Sequence, residues 1–166
     1  MIRLYCFDKE KPNINCDIAV KKINLSCPFC LFAKEEKFEL KEYLIRLRWC
    51  FKTIGKAKVY YCLHNEKEKV VHTSYVIPKC SKFPFMKNGD FQIGPCQTKK
   101  EARGKGLYPK VLNYIVNDIG HEKTDFYMIV NDNNPASVKG ITKAGFVETG
   151  YEIIHKKNGV YETVKI

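Results

Sequence analysis

The sequence lacks the long apolar runs that a membrane-spanning helix needs. Its first residues also lack the pattern of a secretory signal, because Arg3, Asp8, Lys9 and Glu10 interrupt them. Internal repeats and low-complexity tracts are absent, which excludes a solenoid. We therefore expect a soluble, cytoplasmic protein without a membrane partner. The 166 residues, 45% of them hydrophobic, predict a single domain over residues 1–166 with a sizeable core.

Acidic residues are scarce beside basic ones: 18 Asp and Glu stand against 29 Lys and Arg, which gives a net charge of +11. Such a surplus favours anionic partners, which include phosphate-bearing cofactors, nucleotide-linked substrates, acidic glycans and nucleic acid. The basic residues are spread along the chain, and no recognisable nucleic-acid-binding module accompanies them. Specific nucleic-acid binding is not expected, and a basic nucleic-acid-binding protein stays open as an alternative.

A second, matched pair of cysteines is missing from a chain that holds eight cysteines. Only Cys27 and Cys30 have the CxxC spacing, which would suit a redox pair or half of a zinc site with Cys6 and Cys16. One such pair is a weak signal, and no secretory route supports a disulfide framework. We therefore predict no metal site and interpret the thiols as mostly free and buried.

The segment 94–109, GPCQTKKEARGKGLYP, predicts a strand that runs into a basic turn and then a helix. Gly104 and Gly106 permit a tight turn, and the free N–H groups at a helix start favour an anion. A P-loop would need Ser or Thr after Gly-Lys, and a dinucleotide-binding turn would need glycine in place of Pro109. These two nucleotide-binding classes are thus disfavoured, while a plain basic surface turn remains an alternative.

The helix after this turn is predicted from its spacing. Pro109 suits its first position and Gly120 its end, and one face is apolar: Val111, Leu112, Ile115, Val116 and Ile119. A short strand is predicted over Asp125–Val130. The segment 131–146, NDNNPASVKGITKAGF, predicts an Asn-rich loop and a brief helix, for which Asn134 is also a good N-cap.

These two segments resemble the GCN5-related N-acetyltransferases (GNATs). Arg103-Gly104-Lys105-Gly106 resembles the acyl-CoA pyrophosphate loop of that family, and Asn134-x-x-Ser137 with 143–146, KAGF, resembles its second CoA-contacting segment. The resemblance covers residues 56–166 as a CoA-binding core, whereas residues 1–55 form a divergent acceptor-side region. It implies an α/β (α+β) fold with a mixed, mostly antiparallel sheet, flanked by helices and splayed at the acyl-CoA site. The two diverging strands would be the one that ends near Thr98 and the one over Asp125–Val130.

The resemblance implies acetyl-CoA as co-substrate and direct acetyl transfer to a primary amine in a ternary complex. The residues of both segments resemble those of a branch of the family that is associated with bacterial surface-glycan gene sets. An amino sugar or a nucleotide-linked amino sugar is therefore the implied acceptor, with peptide, polyamine and antibiotic amines left open, as is the choice between monomer and homodimer. The implied CoA contacts are Cys96, Gln97, Thr98, Arg103, Gly104, Lys105, Gly106, Leu107, Tyr108, Asn131, Asn134 and Ser137.

The chain departs from the family at the residue that protonates the departing thiolate, since Ile141 stands where many members have tyrosine. Tyr108 is the nearest candidate substitute, and Tyr75 and Tyr151 are others. Tyr108 would also crowd the pyrophosphate loop. A catalytically silent CoA-binding or anion-binding module is therefore a further alternative.

Candidates for the general base are His72, Asp90 and Glu101. A structural strand histidine, a turn residue and a solvated charge are their respective alternatives. Backbone N–H groups around Cys96 to Thr98 would stabilise the oxyanion, and Cys96 itself is interpreted as structural rather than nucleophilic.

Alternation and turn residues predict the remaining elements. Pro95 predicts a bulge or a local strand edge because it lacks an N–H. The predicted strands are Ile2–Phe7, Lys58–His64, Val70–Ile77, Phe91–Thr98 and a closing hairpin of Val147–Ile154 and Gly159–Ile166; the predicted amino-terminal helix spans Phe32–Phe51.

Overall fold

The computed structural model describes residues 1–11, 17–26, 40–64, 69–120 and 122–166. The strands in chain order are β1 (Ile2–Phe7), β2 (Val20–Asn24), β3 (Lys58–His64), β4 (Lys69–Pro78), β5 (Phe91–Thr98), β6 (Phe126–Asn131), β7 (Phe146–His155) and β8 (Tyr161–Lys165). The helices are α1 (Leu40–Thr53), α2 (Leu107–Ile119) and α3 (Pro135–Lys143), and a short 3-10 turn spans Lys100–Ala102.

Most predicted elements are confirmed within two or three residues at each end, and β1, β3 and β5 have the predicted bounds. The predicted amino-terminal helix is confirmed from Leu40 and continues to Thr53, while residues 32–39 lie outside the described part. β2 was not predicted, because two lysines and an asparagine in its five residues obscure any alternation. The CxxC residues Cys27 and Cys30 also lie outside the described residues.

The strands form one sheet in the order β2-β3-β4-β5-β6-β1-β7-β8. Neighbouring strands are antiparallel except β5 and β6, which are parallel and pair only at Phe91↔Phe126 and Gln92↔Tyr127. Beyond Gln92 the edge of β5 that faces β6 has no strand partner in the described sheet. The predicted mixed, mostly antiparallel sheet and its splay between these two strands are thus confirmed.

β5 is bulged where the sequence predicts it. Cys96 lies opposite Ser74 and Ile93 opposite Val76, so that two residues of β5, Pro95 among them, face a single residue of β4. Proline cannot donate to the strand ladder, and the extra residue in β5 accommodates that loss. The bulge lies beside the point where β5 leaves β6.

Helices cover both faces of the sheet. α2 and α3 pack on one face, where the core includes Val111, Leu112, Ile115, Ile141 and Phe146. α1 packs on the other face with Trp49, Tyr61, Tyr75, Phe83 and Met86. Along β6, Phe126, Met128 and Val130 join the first core, whereas Tyr127 and Ile129 contact the second, as the two-residue period of a strand requires.

α2 begins earlier than predicted. Leu107 is its first residue, which puts Pro109 in the third position and corrects the placement of that proline at the first. The third position tolerates proline because the first N–H groups of a helix have no partner within the helix. Gly120 ends the helix as predicted, and its N–H donates to the Val116 carbonyl at 2.9 Å.

Candidate functional site

A cavity of about 500 Å³ lies where β5 and β6 diverge. Its walls include Cys96, Tyr108 and Val130 from the core under α2 and α3, and also Trp49 and Phe83 from the core under α1. Because these two cores lie on opposite faces of the sheet, the cavity passes through the sheet. The divergence of two parallel strands therefore connects one face of the protein to the other.

The cavity unites the two segments that the sequence singled out. Five of the predicted CoA contacts line it: Cys96, Tyr108, Asn131, Asn134 and Ser137. The other seven lie outside its wall and follow directly along the chain, at the end of β5 and in the turn into α2: Gln97, Thr98, Arg103, Gly104, Lys105, Gly106 and Leu107.

The turn between β5 and α2 presents backbone N–H groups and positive charge. Gly104 and Gly106 have φ angles of +77° and +68°, and a Cβ atom at either position would meet nothing within 4 Å. None of the N–H groups of residues 104–108 donates to a described carbonyl outside the helix. Arg103 is fixed at the turn because its Nε donates to the Thr98 carbonyl at 3.0 Å. A turn with free N–H donors and positive charge at the start of a helix is suited to phosphate.

α3 starts at the cavity with a complete N-cap. The Oδ1 atom of Asn134 accepts the Ser137 N–H at 3.1 Å, and Pro135 is the first helical residue. The Asn131 carbonyl accepts the Asn134 N–H at 2.9 Å. Asn134 therefore caps the helix and lines the cavity at once.

A chain of polar side chains connects the end of β5 to the cavity. His72 Nδ1 lies 2.7 Å from Thr98 Oγ1, and its Nε2 lies 2.7 Å from Ser74 Oγ. The Ser74 hydroxyl donates to Cys96 Sγ at 3.2 Å, and the Tyr108 hydroxyl is hydrogen-bonded to the same sulfur. Four of the sequence candidates are thus in one network, and Tyr108 and Cys96 reach the cavity wall.

Burial sets the protonation of this network. It lowers the pKa of His72, which is 1% exposed, to about 4, so that the imidazole is neutral at pH 7. Burial raises the pKa of the Cys96 thiol to about 11, although hydrogen bonds from Ser74 and Tyr108 oppose the shift. It also raises the pKa of Tyr108, and Cys96 adds to that effect. Cysteine and tyrosine both remain protonated at neutral pH.

The depressed pKa of His72 predicts a loss of stability in acid. His72 takes up a proton near pH 6.5 in the unfolded chain and only near pH 4 in the folded protein. The stability that neutral His72 contributes is therefore complete above pH 6.5 and is lost as the pH falls toward 4. The loss amounts to roughly 3 kcal/mol in the free energy of unfolding. Urea denaturation between pH 7 and pH 4 measures it, and His72→Gln should flatten the slope. An equally steep slope in that variant would assign the acid sensitivity to other groups.

Tyr108 extends inward from the turn rather than over it. Its ring lies 5.6 Å from the His72 ring, and a Cβ atom at Gly140 of α3 would come within 2.5 Å of it. The missing side chain of Gly140 leaves room for the ring between α2 and α3, and whether Tyr108 crowds the pyrophosphate turn stays a prediction.

We expect Gly140→Ala to destabilise the protein, although alanine has the higher helix propensity. Alanine in a helix interior is ordinarily favoured over glycine by up to about 1 kcal/mol. Here the new methyl group would overlap a packed aromatic ring, which costs about 1–3 kcal/mol. Thermal and urea denaturation measure the sign. A stabilised variant would mean that Tyr108 moves aside without cost.

The remaining acid and base candidates lie away from the cavity wall. Asp90 is 3% exposed, and its two carboxylate oxygens accept the N–H groups of Lys87 at 2.7 Å and Asp125 at 3.1 Å. It thereby holds the turn before β5 against the start of β6. Glu101 is exposed and forms an ion pair with Lys69 at 3.3 Å.

The alternative tyrosines are also outside the cavity. Tyr75 is buried in the core under α1, and Tyr151 is 39% exposed on β7. Among the described residues that line the cavity, none is Asp, Glu or His. Of the side chains proposed for proton transfer, only Tyr108 lines it.

Sequence reasoning missed the wall on the α1 face. Arg48 and Trp49 come from α1, Lys82 and Phe83 from the segment before β5, and Tyr161 from β8. The Lys82 Nζ atom lies 4.8 to 5.7 Å from the ring centroids of Trp49, Phe83 and Tyr161. The Tyr161 N–H donates to the Lys82 carbonyl at 2.9 Å, which joins β8 to this wall. No single stretch of sequence contains the pattern, since the residues come from three distant segments.

Among the described residues, no three side chains of His, Cys, Asp and Glu converge as a metal site. No helix within those ranges is both long and apolar enough to cross a membrane.

Comparison with known proteins finds matches only among solved structures. No family profile and no curated protein matches the chain. A GNAT-family acetyltransferase from Colwellia psychrerythraea matches with a TM-score of 0.62 and 17% identity over 89% of this chain and 52% of that one. An IAA acetyltransferase from Bacillus cereus matches with a TM-score of 0.54 and 14% identity over 87% of this chain and 93% of that one.

A tandem GNAT protein from the clavulanic acid biosynthesis pathway matches with a TM-score of 0.55 and 12% identity, over 89% of this chain and 50% of that one. At such identities the likeness concerns the fold, and the chain has the GNAT fold. It spans about half the length of the Colwellia and tandem proteins. What it does must therefore be argued from its own site.

Proposed function

We propose that the chain is an acetyl-CoA-dependent N-acetyltransferase that acts on a primary amine. The observation that carries the proposal is the cavity through the sheet at the β5–β6 divergence, with both CoA-like segments at the α2–α3 side of it. Two substrates entering from opposite faces would meet at the gap, as direct transfer in a ternary complex requires. Acetyl-CoA, when bound, supplies the activated thioester.

The turn at residues 104–108 fits the pyrophosphate of CoA. Its N–H groups donate to no described carbonyl outside the helix, and a Cβ atom at Gly104 or Gly106 would meet nothing within 4 Å, which leaves space for a ligand beside the backbone. Lys99, Lys100, Arg103 and Lys105 surround it with positive charge. The unpaired edge of β5 beyond Gln92 offers backbone groups to the pantetheine arm and to the oxyanion of the reacting carbonyl.

Tyr108 is our candidate for the acid that protonates the CoA thiolate. It lines the cavity, and its hydroxyl is protonated at neutral pH, so it has a proton to give. Cys96, Ser74 and His72 position that hydroxyl through their hydrogen-bonded chain. Tyr108 would thus take the role that Ile141, which is fully buried, cannot perform.

Calorimetry with acetyl-CoA, followed by thiol release with a panel of amines, tests the proposal. The panel contains amino sugars, nucleotide-linked amino sugars, amino acids, polyamines and peptides, of which we favour the amino sugars. Binding with acceptor-dependent thiol release supports the transferase. Binding without release for any amine favours a silent CoA module, and no binding overturns the proposal. Polynucleotide binding that collapses in moderate salt would be non-specific.

A further inference from the structure

The part of the cavity lined by Arg48, Trp49, Lys82, Phe83 and Tyr161 is called the α1 end here. It holds positive charge without a compensating acid among the described residues. Arg48 is exposed at the wall and Lys82 is partly buried there, and neither forms an ion pair with a described carboxylate. Several exposed lysines elsewhere do have such partners: Lys9–Asp125 at 2.7 Å, Lys22–Asp118 at 2.8 Å and Lys156–Glu162 at 3.1 Å. The cations at the cavity are therefore left available to a ligand.

Lys82 is held in this position at an electrostatic cost. Burial lowers the pKa of its ammonium group, and the nearby charges of Arg48 and Lys52 lower it further. The rings of Trp49, Phe83 and Tyr161 attract the ammonium group but do not neutralise its charge. A bound anion would offset the remaining repulsion.

We infer that the acceptor amine carries an anionic group, a carboxylate or a phosphate, which Arg48 and Lys82 bind at the α1 end of the cavity. The inference rests on the proposed function and names the class of its acceptor. The phosphates of CoA are a poor fit for this end, because the CoA-like segments lie on the opposite face of the sheet. An acceptor held here by its anion extends its amine toward the β5–β6 gap.

Trp49 is the only tryptophan of the chain and lines the cavity, so its fluorescence reports binding directly. We would titrate two matched pairs, glucosamine 6-phosphate against glucosamine and leucine against leucinamide, with and without saturating CoA. A saturable change with an anionic amine, at an affinity at least tenfold above that of its neutral partner, is the expected result. The two pairs separate phosphate from carboxylate recognition.

Two variants test whether the contact is local. Arg48→Gln should weaken binding of the anionic amine by about tenfold or more, since a hydrogen bond to a charged group is lost. Lys56→Gln removes the same charge just after the same helix, outside the cavity wall, and should change binding by less than about twofold. Acetyl-CoA affinity, measured by calorimetry, should be equal in both variants and the native protein.

The inference is overturned if neither anionic amine gives a saturable change, if CoA abolishes the change by competition, or if Lys56→Gln weakens binding as much as Arg48→Gln does. Failure of the proposed function is a separate result, namely no calorimetric binding of acetyl-CoA. The fluorescence titration without CoA reads the anion subsite in either case.

Discussion

Acetyl-CoA affinity is expected to fall about 30-fold or more when Gly106 is replaced by valine. Gly106 has a φ angle of +68°, a conformation that a β-branched residue adopts only under strain. The turn should relax toward negative φ, which rotates N–H groups away from the phosphates, and the new side chain stands in their approach. Loss of a charge-assisted hydrogen bond costs about 2 kcal/mol, which corresponds to the stated factor. Calorimetry with acetyl-CoA measures it.

Gly159→Val provides the matched control. Gly159 lies in the β7–β8 hairpin with a φ angle of +83°, and a Cβ atom there also meets nothing within 4 Å. Both variants should lose similar stability, about 1–3 kcal/mol, because the backbone strain is alike. Only Gly106→Val should lose affinity for acetyl-CoA. Equal affinities in the two variants would contradict the assignment of the pyrophosphate to this turn.

Local patterns in the sequence predicted the structural features that are determined by neighbouring residues. The 3.6-residue spacing from Val111 to Ile119 gave α2, and Pro95 gave the bulge in β5 because a proline has no N–H to pair. Asn134 before a proline gave the N-cap of α3. Each of these features depends on residues that are adjacent in the chain.

Apart from the splay between β5 and β6, which the family resemblance implied, features that depend on distant pairing were not predicted. β1 lies between β6 and β7, and nothing in its six residues specifies those partners. The wall of Arg48, Lys82 and Tyr161 likewise requires the tertiary fold to bring three segments together. Gly140 looked like an ordinary helix residue, although its missing side chain determines where the Tyr108 ring lies. Acceptor recognition depends on such positions, so the sequence indicated the donor side far better than the acceptor side.

Tyr108→Phe should lower kcat about 100-fold and leave the affinity for acetyl-CoA within about twofold. The substitution keeps the ring that packs against Gly140 and removes only the hydroxyl that would protonate the thiolate. General acid catalysis contributes about 10²–10⁴-fold, so its loss exceeds any effect expected from packing. Steady-state thiol release and calorimetry on the same samples separate the two quantities.

The pH dependence distinguishes an acid from a packing residue. Because burial raises the pKa of Tyr108, the native protein should keep its acid protonated through the alkaline range in which free tyrosine ionises. A more acidic thiol leaves more readily as the thiolate and depends less on protonation by an acid. The loss of kcat in Tyr108→Phe should therefore shrink when the acyl donor carries such a thiol. Tyr114→Phe, on the same helix and outside the cavity wall, should keep kcat within about twofold. If Tyr108→Phe retains full kcat, the thiolate departs without help from this hydroxyl, and the hydrogen-bonded chain from His72 to Tyr108 is then a packing device that holds β4, β5 and α2 together.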